Sequence, residues 1–403
     1  MVMSKREERI QELIDKLLEM EEDESNRAKR AVWASAAIAS KSAVLGVFPR
    51  GVQMDIWPDE GRNPLIPYSV EFHPPMWARL LEFDLLEYYS SPAAFVEAEL
   101  RIKLYRHRHI ADHTPIRPAI DLAMAFLPGF EYTFFGFQPQ LLPDNTPWVE
   151  GEPIVATERD LTKLHHVDFK ASGIMPQAHA WYEEIKRIVR GRLAIHFPIW
   201  VRGPFGLAVK LRGYENLLVD LYKNPRFVHR LLDFLTEARI KWEDDRASFT
   251  GERMKKTWLA NDEVNTPSLS PQLYEEFILP YERKLAQFYD GLYWHSCGCT
   301  TALMPLISTL PKVDVFHVGP WSQPGRALAC LAPQSGVEIC LNPDTVLAAS
   351  EEAMFRELEG LVAIANSQPV TIRADNFMVL DNIPQALQKI QLWTKVAAAV
   401  LGG

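Results

Sequence analysis

Cysteine is scarce in this chain: four among 403 residues, with none in the first 296. So few thiols exclude a disulfide-stapled scaffold. Cys297, Cys299, Cys330 and Cys340 all fall late, a clustering that suits metal binding or catalysis, with buried structural thiols as the alternative. Positive charge is also in deficit, 43 Lys and Arg against 52 Asp and Glu, for a net charge of -9. That balance excludes nucleic acid as the main partner and does not favour an anionic membrane surface. There is no run of about 18 apolar residues, hence no expected transmembrane helix. Met1 to Glu24 is dense in charge and lacks the apolar core of a signal peptide, so the expected location is the cytoplasm. Glycine-rich phosphate loops, dinucleotide fingerprints, short repeats and low-complexity tracts are also missing.

What remains is an ordinary globular balance, 47% hydrophobic and 24% charged. The length suits one barrel plus an appended segment. Ile10, Leu13, Ile14, Leu17 and Leu18 recur at helical spacing, so residues 5–45 read as helix, with Ala31 to Val44 continuing as a second one. Such an amphipathic arm must cover something, either the barrel or a second copy in a homodimer. Gly51 to Pro75, rich in Pro, Gly and aromatics, reads as loop, and helices are expected over Pro75–Tyr88 and Ala93–His107. Short apolar runs then alternate with longer amphipathic ones, the pattern of βα units. Strands are expected at Ala119–Ala125, Leu193–Val201, Thr257–Val264, Leu292–Cys297, Val313–Val318, Val337–Leu341 and Val370–Ala374. An eighth is sought near Trp148–Ala156. Helices are expected at Tyr182–Arg190, Asn224–Phe249, Pro271–Tyr289, Thr301–Leu310, Glu351–Ala365 and Pro384–Val400. The fold class is therefore α/β, a (β/α)8 TIM barrel with an N-terminal helical extension. Residues 1–115 are the helical arm and loop region, and 116–403 the barrel.

In a parallel barrel the chemistry sits at the C-terminal strand ends. Those ends carry Asp121, Trp200 with Arg202, Asn261 to Glu263, His295 with Cys297 and Cys299, His317 with Trp321, Cys340 with Asn342, and Asp375 with Asn376. The sharpest local signal is His295-Ser296-Cys297-Gly298-Cys299. Alternate residues of a strand share a face, so an imidazole and a thiolate two apart can reach one zinc ion at about 2.0–2.3 Å. Gly298 lets the chain turn as the strand ends. A third ligand must come from another strand: Cys340 is the best thiolate and Glu263 the best oxygen donor. The expected metal set is thus Glu263, His295, Cys297 and Cys340, with Cys299 and Asp375 open as substitutes. Cys330 reads as a packed residue. Glu263 and His317 are placed for proton transfer, a hydrogen-bonded core histidine being the alternative for the latter. Arg202 suits a substrate carboxylate or a structural ion pair. Trp200, Phe316 and Trp321 suit an aromatic wall around a planar or methylated ligand, or plain core packing. Asn261 and Asn376 add polar lining to the substrate site.

Several runs carry a family resemblance. "NDEVNTPSLSPQLYEEFILPYERKL" resembles an Asp-bearing strand end followed by an "LSPxxFxEFxxPY" helix. "HSCGCTTALMPLI" resembles the form "HxCG", "CLNPDTVL" resembles "GNLDPxxL", and "PAIDLAMAFLPGFEYTFFG" resembles an early strand whose acid lines the site. Over about residues 117–390 the chain is similar to the uroporphyrinogen decarboxylase superfamily, which includes zinc methyltransferases serving corrinoid proteins. The resemblance implies that Asp121 is a catalytic or substrate-anchoring acid. It also implies zinc and a corrinoid carried on a partner protein as cofactors.

Two departures refine this. The arginine-rich "RQAGR" segment of the decarboxylase, which holds porphyrin carboxylates, has no counterpart here. Unpaired substrate carboxylates are costly, so decarboxylation is disfavoured. The late "GCG" thiolate of several methyltransferases is replaced by "TIRADNF", with Asp375 and Asn376. The implied activity is methyl transfer from a small methylated donor, such as a methoxylated aromatic, to a corrinoid protein docked over the strand ends. Zinc would serve as Lewis acid on the leaving oxygen. A corrinoid-to-thiol methyltransferase, a decarboxylase and a non-catalytic tetrapyrrole binder are the alternatives.

Overall fold

The computed structural model of the chain describes residues 4–40, 44–48, 52–56, 66–126, 129–365, 368–378 and 382–402. Eight parallel strands follow one another among the described residues: β1 (Tyr68–Phe72), β2 (Ala119–Asp121), β3 (Ala194–His196), β4 (Lys256–Ala260), β5 (Gly291–His295), β6 (Val313–Val318), β7 (Gly336–Leu341) and β8 (Val370–Phe377). Six of them form one sheet in the order β1-β8-β7-β6-β5-β4. β2 pairs with β3, and a parallel bridge from Arg202 to Ala260 joins the β3 side to β4. Helices lie between successive strands, and Ile383–Leu401 follows the last. This is the (β/α)8 barrel with an N-terminal helical region. Among the described residues no helix is long and apolar enough to cross a membrane.

The first strand lies where the sequence suggested loop. Tyr68–Phe72 pairs with β8 through Ile372, Arg373 and Ala374, ahead of residue 116, where the barrel was expected to begin. The stretch near Trp148–Ala156 supplies no barrel strand; Trp148–Glu150 pairs antiparallel with Gln138–Gln140 instead. The expected helix Pro271–Tyr289 is split into Pro271–Phe277 and Leu279–Phe288. Pro280 has no N–H to continue the first segment's ladder.

The N-terminal arm is two helices, Lys5–Glu21 and Glu24–Ser40. Ser4 and Glu7 form a capping box that satisfies the first turn of the former. Its apolar stripe, Ile10, Ile14 and Leu17, is fully buried. Arg6 and Arg9 pair with Glu97 of helix Pro92–His109, while Arg187 of helix Met175–Val189 pairs with Glu7. The arm therefore covers its own chain.

Strand register sorts the side chains into two faces. Trp258 and Tyr293 are in register, as are Ala260 and His295, His317 and Glu338, and Cys340 and Arg373. Tyr293 donates to Glu338 across an intervening strand at 2.6 Å, so this face points into the barrel. The other face meets the helices: Trp294 and Asn261 both donate to Glu282 of helix Leu279–Phe288.

Candidate metal centre

At the mouth, β5 delivers His295 and the chain just beyond it delivers Cys297. His295 Nε2 lies 3.4 Å from Cys297 Sγ and 3.3 Å from Asp262 Oδ1. Asp262, His295 and Cys297 thus bring one nitrogen, one sulfur and one oxygen within 4.8 Å of one another. The Cys297 amide also donates to Asp262, at 3.2 Å. What Gly298 supplies is space rather than an unusual backbone angle: a Cβ there would lie 2.5 Å from Cβ of Asn265.

The electrostatics of this trio favour positive charge at the imidazole of His295. Burial alone would lower the pKa of His295, but Cys297 and Asp262 outweigh it and hold it up at about 10. Burial likewise pushes the Asp262 carboxyl up, and the contact with His295 and the charge of Arg202 more than reverse this. An imidazole nitrogen, a cysteine sulfur and a carboxylate oxygen this close together are a donor set that could hold a zinc-type ion.

Deeper in the lumen is a second group. His317, Cys340 and Asp375, from β6, β7 and β8, also lie within 4.8 Å of one another. His317 Nε2 is 2.9 Å from Cys340 Sγ, which is 3.6 Å from Asp375 Oδ2. The rings of His295 and His317 overlap with centroids 4.0 Å apart, so the two groups adjoin. Beneath them, Arg373 bridges Asp375 at 3.0 Å and Glu338 at 3.2 Å. Burial pushes the Cys340 thiol up and the His317 imidazole down.

The expected metal set is therefore divided. His295 and Cys297 are together; Cys340 belongs to the other group. Glu263 is in neither. Its carboxylate lies 3.6 Å from Arg202, and a Cβ at Gly206 would fall 2.4 Å from its Oε2, which places it against helix Pro204–Arg212. β4 ends at Ala260, and in the turn that follows Asp262 is directed to His295 while Glu263 is directed to Gly206. Cys299 is in neither group; its carbonyl accepts from the Thr266 amide and its sulfur lies 3.9 Å from Thr301. Asp375, held open as a substitute, is a member of the second group.

Other expected site residues are also redistributed. Asp121 is in neither group: it meets His196 at 2.7 Å and Arg117 at 3.5 Å. Trp200 is buried against Phe134 and Trp242, and its Nε1 donates to the Arg202 carbonyl. Phe316 stacks on Trp294, and Asn261 donates to Glu282, so both face the helices. Trp321 is 67% exposed. The three aromatics accordingly build no common wall, because Trp200 and Phe316 fill the layer between barrel and helices. Arg202 stays at the rim, its guanidinium 3.0 Å from Asp262 and over the ring of Tyr132. His317 faces the lumen but is fully buried, Nδ1 3.0 Å from the Ser296 carbonyl. Asn376 falls in β8, and its side chain lies outside the described residues. The groups that sequence reasoning missed, Tyr293, Glu338 and Arg373, stand two residues before His295, Cys340 and Asp375. Charged residues in alternation within otherwise apolar parallel strands were the available signal.

The sequence signature of uroporphyrinogen decarboxylase matches residues 130–372, and the chain belongs to that family. It is 26% identical over 175 residues to a methylated-thiol–coenzyme M methyltransferase of Methanosarcina mazei, covering 43% of this chain and 45% of that protein. It is 30% identical over 197 residues to a uroporphyrinogen decarboxylase of Anaeromyxobacter, covering 45% of this chain and 54% of that one. The chain thus spans about half the length of these relatives. A methyltransferase structure from Methanosarcina mazei shares the fold, with TM-score 0.62 at 14% identity over 85% of this chain and 95% of that one.

Proposed function

We propose that this protein is a zinc-dependent methyltransferase that takes a methyl group from a small methylated donor and passes it to a corrinoid held by a partner protein. The observation that carries the reading is the Asp262–His295–Cys297 trio at the barrel mouth, which could hold zinc through one oxygen, one nitrogen and one sulfur. Zinc there would supply Lewis acidity toward the leaving heteroatom of the donor. The chain's own residues supply the rest. Arg202 fixes the orientation of Asp262, and the Asp262 carboxylate fixes the ring of His295. The helix-facing core of Trp200, Phe316 and Trp294 keeps these strand ends rigid, so the donors are set before substrate arrives.

Decarboxylation of a porphyrinogen is the less suited activity, because the substrate's carboxylates need uncommitted cations. Among the described residues at the two donor groups, Arg202 is taken up by Asp262 and Glu263, and Arg373 by Glu338 and Asp375. A methylated thiol rather than a methyl ether as donor is a second reading, favoured by the likeness to the methylated-thiol–coenzyme M methyltransferase of Methanosarcina mazei. A cytoplasmic location and docking of the corrinoid protein over the strand ends belong to the same proposal. The test is zinc content followed by a donor panel. We expect roughly one zinc at this trio, removed by chelator, and methylation of a corrinoid from either a methoxylated aromatic or a methylated thiol. Protein that binds no zinc, or that works equally well after Cys297→Ala, overturns the reading.

A further inference from the structure

The lumen holds a second set of donors that the proposed zinc trio does not use. Cys340 Sγ sits between His317 Nε2 at 2.9 Å and Asp375 Oδ2 at 3.6 Å. All three belong to strands: Cys340 is in register with Arg373, and Asp375 follows two residues later in β8, just past the last pair with β7. His317 Nδ1 lies 3.0 Å from the Ser296 carbonyl, which can only accept. That contact puts the ring proton on Nδ1 and leaves the Nε2 lone pair aimed at Cys340 and Asp375. An imidazole whose far nitrogen is tied to a backbone carbonyl is the usual arrangement of a metal-ligating histidine. Charge balance agrees. With Cys340 deprotonated, Cys340, Asp375 and Glu338 would carry three negative charges against the one positive charge of Arg373, which pairs with both carboxylates. A divalent cation would make the buried set neutral.

We propose that His317, Cys340 and Asp375 form a second cation site, separate from the Asp262–His295–Cys297 trio, that takes a zinc-type ion. This rests on the reading of the first trio as a metal site and adds a second ion beside it. Sulfur and imidazole donors select zinc-like ions over magnesium or calcium. Loading forms the metal–sulfur bond and releases the Cys340 thiol proton to solvent. With the His295 and His317 rings 4.0 Å apart, the two sites would adjoin in one lumen. The competing explanation is a buried thiol that donates its hydrogen to His317 with no ion involved.

The test is metal counting on the full chain. Purified protein is equilibrated with excess zinc, desalted and analysed by mass spectrometry of the metal, then titrated with Co(II), whose thiolate charge-transfer absorption reports each Cys–metal bond. We expect two ions per chain in the wild type, one in Cys340→Ser, one in Cys297→Ala and none in the double variant. The Co(II) thiolate absorption should halve in each single variant. Asp375→Asn, at the less buried edge of the group, gives the same reading should Cys340→Ser fold poorly. One ion in the wild type that Cys340→Ser retains and Cys297→Ala loses overturns this inference and leaves the first site standing. One ion lost in both variants means a single shared site and overturns it as well. No ion in the wild type overturns both readings.

Discussion

Asp262 and Glu263 are neighbours with opposite surroundings. Asp262 faces His295 and Cys297, whereas Glu263 is held against helix Pro204–Arg212 and burial raises its pKa. Asp262→Ala is therefore expected to weaken zinc binding by more than the roughly 10–100-fold typical of losing an outer partner. Glu263→Gln should stay within that range, and competition with a chromophoric chelator measures both. Asp121 gives a contrasting case. Burial pushes its carboxyl up, but His196 and Arg117 bring it down to about 2, below its ordinary 3.8. A depressed folded-state pKa means stability that is present above about pH 4 and lost as pH falls towards 2. By linkage it is of order 2 kcal/mol. Asp121→Asn should lower the urea midpoint at pH 7 accordingly while zinc content is unchanged; loss of zinc would show that Asp121 acts on the site after all. Part of the site was legible at this scale. His295-x-Cys297 was readable because the two residues are two apart where β5 ends, His295 closing the strand and Cys297 lying just past it. The third donor was not, because Asp262 and Glu263 are adjacent in the turn after β4, where strand alternation no longer decides which way a side chain points.

Elements fail the sequence reading where local pattern and tertiary role part company. Tyr68–Phe72 is a five-residue strand, fully buried on both faces, that follows a Pro- and Gly-rich stretch. Its sequence does alternate, Ser69 and Glu71 standing between Tyr68, Val70 and Phe72, but five residues after such a stretch are too few for the alternation to stand out. The N-terminal helix was plain because its stripe repeats over several turns. Removing residues 1–22 would expose the surfaces that Ile10, Ile14 and Leu17 cover. At about 1.5–3 kcal/mol for each large side chain, the loss is several kcal/mol. A markedly lower melting temperature with zinc content retained is the expected outcome; an unchanged melt would mean that the arm does not stabilise the barrel. Helix Leu279–Phe288 carries another test. Glu282 is wholly buried, and burial raises its carboxyl from 4.5 to about 7 although Tyr274, Trp294 and Asn261 donate to it. With the folded-state pKa above the unfolded one, the folded protein holds the extra proton. Stability is then greatest below about pH 4.5 and declines as pH rises to 7, by an amount of order 3 kcal/mol. The urea midpoint of the wild type should fall from pH 5 to pH 8 more steeply than that of Glu282→Gln. Parallel curves would contradict the assignment.

For the whole molecule, the barrel concentrates charge in its lumen and apolar bulk in its outer layer. Tyr293, Glu338 and Arg373 form a buried network beneath the two donor groups, tied to the second of them through Asp375. Such networks are costly to desolvate and stay in place only when their members satisfy one another. Here they fix the floor on which His295 and His317 rest. The fold class was legible from the alternation of short apolar runs and amphipathic helices, while the division of the thiols between two groups became visible only with the strand register. The central claim is that this family member moves methyl groups with the help of its mouth trio. The most direct measurement is transfer to free cob(I)alamin, followed by the appearance of the methylcobalamin spectrum. The assay uses zinc-loaded protein with methylated donors, set beside Cys297→Ala and a chelator-treated sample. Methylcobalamin formed by the zinc-loaded protein alone is the result this account expects. Carbon dioxide released from a porphyrinogen, with no methylcobalamin from any methylated donor, would contradict it.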